Sequence, residues 1–394
     1  MPATHTLVCT DCGAEHDPAT TTHRCPDCEG VLDPRLDVGA VDVGPETLAG
    51  RPFDGIERYA ELLPLPASSL VSVGAGATPL VSAPTLADRW GVESVWIKDE
   101  GANPTGSTAD RGATLAVSAA ADHGAETVAL ATSGDAGQSV AAVAARAGLD
   151  SESFVPSRST FDTKAMINVH GGEMNVVGGR LDDAIEAFSD ALTGEETWHS
   201  VGAFDSPYRH AGAKTLLYEV LEQRDWTAPD HVVYPVGHGT GLVGGAGAAR
   251  ELDRLGLIAD VPTLHAAQAA GCAPVVDAFD AGEIDPQSVG RPDTICGGLE
   301  VPDPAGGALV LDAVRDSGGT AVASEDDDIL EHAVTIAQEA GIGVGTGGGA
   351  AASAAAQLAD RGAFGEDDTV VVVNPSSANK ESDVLRSHLM SKGI

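Results

Sequence analysis

One pattern recurs through this 394-residue chain and limits its fold more than any other: a short apolar run, a glycine-bearing turn, then an alanine-rich run. Ser94–Lys98, Thr127–Thr132, His231–Pro235 and Thr369–Val373 read as strands. The stretches after the first three, about Asp110–His123, Ser139–Ala147 and a run ending at Leu255, read as helices. A helix between two strands carries the chain back to the same end of a sheet, so the strands run parallel. The class is α/β, with open, twisted, mostly parallel sheets. Ligands in such sheets bind beyond the carboxyl ends of the strands.

Three turns, Asn103-Pro-Thr-Gly-Ser107, Ser133-Gly-Asp-Ala-Gly-Gln138 and Gly237-His-Gly-Thr-Gly241, fall at strand-to-helix junctions. Each sets backbone N–H groups at a helix N-terminus, where unpaired donors and the helix dipole favour phosphate or carboxylate. A single turn of this kind is commonly structural. Three in one chain point to an anionic ligand.

Cys9-Thr-Asp-Cys12 and Cys25-Pro-Asp-Cys28 are two CxxC pairs close together in sequence. Two such knuckles set four thiolates around one Zn²⁺, which supplies folding energy that so short a segment lacks in a core. Four cysteines leave no open coordination position, so the expected zinc is structural. A reducing compartment disfavours the competing pair of disulfides. His5, His16 and His23 are expected to be bystanders, and Cys272 and Cys296 small buried apolar residues without a role. Pro34 to about Gly76 reads as a linking region with short helices.

Acidic residues number 59 against 22 basic ones, a net charge of −37, and the lysines are five: Lys98, Lys164, Lys214, Lys380 and Lys392. The clustered cations that nucleic acid requires are missing. No apolar run reaches bilayer length, and Met1 opens on a polar segment with no leader pattern, so a soluble cytoplasmic protein without a membrane partner is expected. Patches such as Ser324–Asp328 suit a surface solvated in high salt, where self-repulsion is screened.

The segment Trp96-Ile-Lys-Asp-Glu-Gly-Ala-Asn-Pro-Thr-Gly-Ser-Thr-Ala-Asp-Arg-Gly112 resembles the cofactor-lysine segment of the threonine synthases, fold type II (tryptophan synthase β-like) pyridoxal-phosphate enzymes. Thr78-Pro-Leu80, the cysteine ribbon, Gln268–Pro274 and Thr294–Gly298 are similar to further landmarks of that family, and the acid-rich composition is that of a haloarchaeal type. The resemblance implies pyridoxal 5′-phosphate as cofactor and O-phosphohomoserine as amino-acid substrate: phosphate leaves Cγ, water adds at Cβ, and threonine is released. It implies that Gly237, His238, Gly239, Thr240 and Gly241 cradle the cofactor phosphate, that Ser133, Gly134 and Asp135 face the ring, and that Ser376 or Ser377 partners the ring nitrogen. Ser107, Ala136, Gly137, Gln138 and Arg209 are the implied substrate residues, and a homodimer the implied assembly.

The chain departs from the family at telling places. Ala109 stands where the family carries its Schiff-base lysine, so no ammonium reaches the cofactor from there, and Lys98 on the preceding strand is not expected to substitute. Either a Lys-to-Ala change has been made at this position to hold cofactor and substrate in place, or the natural protein has lost the lysine and binds its ligand without turnover. Asp135 replaces the family's usual Asn and brings a carboxylate toward the cofactor's phenolic oxygen. Asp205–Gly212 keeps the family's Pro and Arg209 but not its Asn or Glu, which leaves open another β- or γ-replacement substrate. Arg158 joins Arg209 as a candidate anion binder. The expected division is a zinc ribbon over 1–38, a large cofactor-binding domain from 39–111 and 205–394, and a smaller domain, 112–204, inserted into it, with the cofactor in the cleft between them.

Overall fold

The computed structural model describes residues 5–195 and 197–393; the polar start at 1–4 lies outside them. The chain opens with an antiparallel sheet of β1 (His5–Cys9), β2 (Glu15–His16) and β3 (Leu32–Leu36), with β1 in the middle. Pro34, expected in the linker, belongs to β3 and stands opposite Leu7 on β1.

A six-stranded sheet follows the order β12-β11-β10-β13-β5-β4, made of β4 (Leu80–Ser82), β5 (Ser94–Asp99), β10 (His231–Pro235), β11 (Thr263–Ala269), β12 (Ala321–Ser324) and β13 (Thr369–Asn374). Its pairs are parallel except the edge pair β4–β5. A second sheet, β8-β7-β6-β9, is all parallel: β6 (Thr127–Ala131), β7 (Asp150–Pro156), β8 (Glu173–Val177) and β9 (Trp198–Ser200). β13, Thr-Val-Val-Val-Val-Asn, is buried at every position, as a central strand covered on both faces must be.

The helices are α1 (Pro45–Ala49), α2 (Pro84–Trp90), α3 (Ala109–Asp122), α4 (Asp135–Ala147), α5 (Phe161–Val169), α6 (Leu181–Leu192), α7 (Tyr208–Glu222), α8 (Thr240–Arg254), α9 (Pro274–Ala281), α10 (Gly307–Asp316), α11 (Asp326–Glu339), α12 (Thr346–Asp360) and α13 (Ser382–Ser391). Among the described residues no helix is long and apolar enough to cross a membrane. α4 starts at Asp135 rather than near Ser139: Gly134, at φ 139°, completes the turn by itself, and Asp135 places its carboxylate in the first helical turn.

α3 and α7 lie at the centre, and nearly every residue of α7 is buried. Their backbones touch where Gly112 meets Gly212. A Cβ on Gly212 would lie 2.4 Å from the Arg111 carbonyl oxygen, and one on Gly112 would lie 2.7 Å from that of Arg209.

This contact brings four buried charges together. The Arg111 guanidinium donates from Nε to Glu100 Oε2 at 2.6 Å and from Nη1 to Glu219 Oε1 at 2.6 Å. Its Nη2 reaches Glu100 Oε1 and Glu219 Oε2, each at 2.8 Å. Lys98 Nζ donates to Glu219 Oε2 at 2.7 Å, to the Thr78 carbonyl at 2.8 Å and to Gln223 Oε1 at 3.0 Å. Burial alone would raise the Glu219 carboxyl, but Arg111 and Lys98 overcome it and hold it down at about 2. Two cations thus balance two carboxylates.

Arg111→Met strips Glu100 of its cation and leaves Glu219 with Lys98 as its one cation in a dry site, and is expected to cost about 3–5 kcal/mol in chemical denaturation. Because the Glu219 pKa is depressed from 4.5 to about 2, its contribution is present above pH 4.5 and lost as pH falls from there through 2. Glu219→Gln should flatten that part of the acid-denaturation curve.

Candidate functional site

The carboxyl ends of β5, β6, β10 and β13, with the turns after them, surround one cavity of about 370 Å³. That is within the range of small-molecule sites. Of the residues singled out in the sequence, Ser107, Ala109, Ser133, Asp135, Ala136, Arg158, Arg209, the whole run Gly237–Gly241 and Ser376 line it. Gly134, Gly137 and Gln138 do not. A Cβ on Gly134 would meet Thr163 at 2.4 Å, one on Gly137 would meet Thr132 at 2.9 Å, and Gln138 is buried behind the wall.

The Gly237–Gly241 turn leads into α8 with Gly239 as N-cap at φ 97°, and no side chain caps the helix. Its first-turn N–H groups are therefore left without a side-chain acceptor, the arrangement an anion completes. The next residue back, His238, is half-buried, and desolvation pushes its imidazole down to about 4 and keeps the ring neutral near pH 7. Its Nδ1 accepts from the Ala305 N–H at 3.4 Å.

Across the cavity, the segment after β13 is tied to the loop after β5. Thr108 N–H donates to the Pro375 carbonyl at 2.8 Å, Ser377 N–H donates to that of Gly106 at 3.0 Å, and Ser107 and Ser376 form a bridge. Ser376 is thereby held in the cavity wall. Ala109 heads α3 in the same wall and presents only a methyl group.

Arg209, in the first turn of α7, is buried with Nη1 unpartnered. Burial lowers it to about 10, so it is still a cation at neutral pH. Arg158 is less free: its Nη2 lies 3.9 Å from Glu300 Oε1, a carboxylate also paired with Arg180.

Asp135 does not face the cavity as a bare carboxylate. Lys380 Nζ sits 3.1 Å from its Oδ1 and donates to Gln138 Oε1 at 2.6 Å. Lys380 closes the segment Asn374–Lys380, which only loosely matches the family's corresponding ending, and the sequence alone gives it no role. The available signal was its place shortly after Asn374-Pro375-Ser376-Ser377, beyond the carboxyl end of β13. The other lysines are engaged elsewhere: Lys98 in the buried network, Lys214 with Glu251, Lys164 on the Ser157 carbonyl at the surface and Lys392 with Glu331.

The four N-terminal cysteines come together, with Cys9 Sγ 3.5 Å from Cys28 Sγ and Cys12 Sγ 3.8 Å from Cys25 Sγ. These four form no disulfide, and the group could hold a metal ion. These separations match the roughly 3.8 Å edge of a tetrahedron with arms of about 2.3 Å. His16 is not the expected bystander, since its Nε2 lies 3.3 Å from Cys25 Sγ, and His23 packs its ring against His199 at 4.4 Å.

The uncapped α8 turn and the Ser376 hydroxyl fit a phosphorylated pyridine, and the Arg209 nitrogen without a partner adds a cation to the same wall; position 109 offers no amine. Gly239→Ala should be poorly tolerated, because a Cβ there would lie 2.3 Å from Val310 Cγ2 on a backbone that L side chains rarely adopt. A loss of about 1–3 kcal/mol is expected from thermal unfolding. Gly241→Ala, whose Cβ would make an ordinary 3.7 Å contact with Tyr234, should be nearly neutral.

Residues 71–376 match the model of the family described as pyridoxal-phosphate dependent enzyme. The chain is 32% identical to a threonine synthase of Methanosarcina acetivorans, over 96% of this chain and 93% of that protein. It is 30% identical to a threonine synthase of Methanocaldococcus jannaschii, over 95% and 93% respectively. In fold it is similar to the processed form of threonine deaminase isoform 2 from Solanum lycopersicum, with TM-score 0.68 and 21% identity over 80% of this chain and 88% of the other. It is similar also to diaminopropionate ammonia lyase from Escherichia coli, with TM-score 0.69 and 18% identity over 82% and 89%. By family match and by relatives aligned over nearly all of its length, this chain belongs to the fold type II pyridoxal-phosphate-dependent enzymes and is threonine-synthase-like in sequence.

Proposed function

We propose that the cavity is a threonine-synthase-type site for O-phosphohomoserine, in a form that holds its ligands with little or no turnover. The observation that carries this reading is the convergence on one cavity of the uncapped α8 turn, the Ser376 hydroxyl and the unpartnered Arg209 cation. The Gly237–Gly241 amides would hold the cofactor phosphate, Ser376 the ring nitrogen, and Ser133 and Asp135 the ring face. Bound there, pyridoxal phosphate would supply an electron sink for bonds breaking at the amino acid.

The chain's own residues do the rest. The first turn of α4, with Ser107 and Ala136, orients the substrate carboxylate through backbone donors, as an anion at a helix start requires. Arg209 offers a planar fork to the substrate phosphate, and its burial strengthens that attraction relative to water. Residues 112–204 would close as a smaller domain over residues 39–111 and 205–394 and exclude water until it is needed. At position 109 a methyl group neither takes nor returns a proton, which supports a second reading: a protein that binds pyridoxal phosphate or an amino acid reversibly without chemistry. A zinc ribbon over 1–38, a homodimer and a cytoplasmic, high-salt setting complete the proposal.

Ala109→Lys should bring release of phosphate from O-phosphohomoserine, and if that variant releases none the enzyme reading fails. Adding Arg209→Gln to it should raise KM by about tenfold to a hundredfold with a smaller effect on kcat, the loss of a hydrogen bond to a charged group. Calorimetry on the unaltered chain with pyridoxal phosphate and amino acids tests the second reading, which requires binding without product.

A further inference from the structure

The cavity has an amine after all, at a place other than the head of α3. We propose that Lys380 is the residue that bonds a carbonyl ligand in this site, in place of the absent lysine at position 109. The inference rests on the cavity being a pyridoxal-phosphate site.

Three observations carry it. Lys380 is the one lysine among the described residues that lines the cavity. Its stem runs over the loop that leads into α3 and Ala109: an ideal Cβ on Gly106 would lie 3.2 Å from Lys380 Cε, and the hydrogen bonds of Thr108 to Pro375 and of Ser377 to Gly106 clamp the two segments together. Its Nζ is held over the first turn of α4, 3.1 Å from Asp135 Oδ1 and 2.6 Å from Gln138 Oε1. A lysine whose only task was to anchor the surface could pair anywhere on so acidic a protein. This one is sheltered in the cavity wall, its side chain 11% exposed, with a carboxylate beside it within proton-transfer distance.

The step balances without a further reagent. The ammonium gives one proton to Asp135, and the neutral nitrogen adds to the aldehyde carbon. A C–N bond forms as the C–O bond breaks, and the oxygen leaves as water with the two remaining N–H protons; nothing is oxidised or reduced. Asp135, which departs from the family's Asn, then acts as the proton acceptor matched to Lys380.

The test uses the full chain in molar KCl with pyridoxal phosphate. Retention is measured by equilibrium dialysis, and covalent attachment by cyanoborohydride reduction and peptide mass spectrometry after cleavage at acidic residues. The expected result is retention with a single label on Lys380. Lys380→Arg keeps the charge and the Asp135 contact and so preserves a merely structural role, yet it should abolish the label. Ala109→Lys should move the label to position 109. Retention of the cofactor with no label, or with label on Lys164 or Lys392, overturns the assignment to Lys380 and leaves the cofactor site standing. Failure of the unaltered chain to retain the cofactor at all overturns both.

Discussion

Everything around the cavity depends on one constraint, the neutralisation of Arg111 inside the protein. A guanidinium that sees no water must be met by carboxylates in good geometry, and here Glu100 and Glu219 meet it through four short contacts while Lys98 balances the second acid. The four residues come from β5, the loop after it, α3 and α7. Their pairing therefore sets where the end of β5 stands relative to the head of α3, and so where Ser107 and Ala109 face. Such a network adds little net stability over well-packed apolar groups, but it penalises every arrangement that separates its members.

The close crossing of α3 and α7 follows from the same centre. Gly112 and Gly212 let the two backbones touch, which carries Arg209 in the next turn down against the cavity with one nitrogen unpartnered. Around the wall the other cations are answered by acids: Lys380 by Asp135, Arg158 and Arg180 by Glu300. In a protein of net charge −37 this leaves Arg209 and the uncapped α8 turn as the donors in the wall without a side-chain acceptor. An anionic ligand that reaches the cavity finds there the donors that the exterior does not offer.

Lys380 and Asp135 change the meaning of the two departures that stand out in the sequence. Taken singly, Ala109 removes an amine and Asp135 adds an unwanted charge. Placed in the fold, the carboxylate and an amine from the far end of the chain are partners in the same wall, so the second departure is compensated and the first has a neighbour able to answer it.

Much of this was legible in the order of residues. Alternation of apolar strand, glycine turn and alanine-rich helix is a local property, and it determined the α/β class, the parallel sheets and the location of a site at strand ends. The CxxC spacing likewise determined a cysteine cluster, and the turns at Ser133 and Gly237 marked the cavity's rim. Strands such as β7 and β8, with mixed polar residues, carried no such mark, because they exist through pairing with neighbours. Gly137 and Gln138 share a motif with Ser133, yet fall behind the wall once α4 starts at Asp135. Only the tertiary structure decided which charges meet. Lys380 is separated from Asp135 and from Gly106 by most of the chain, and no local pattern encodes a contact made when the segment after β13 pairs with the loop after β5.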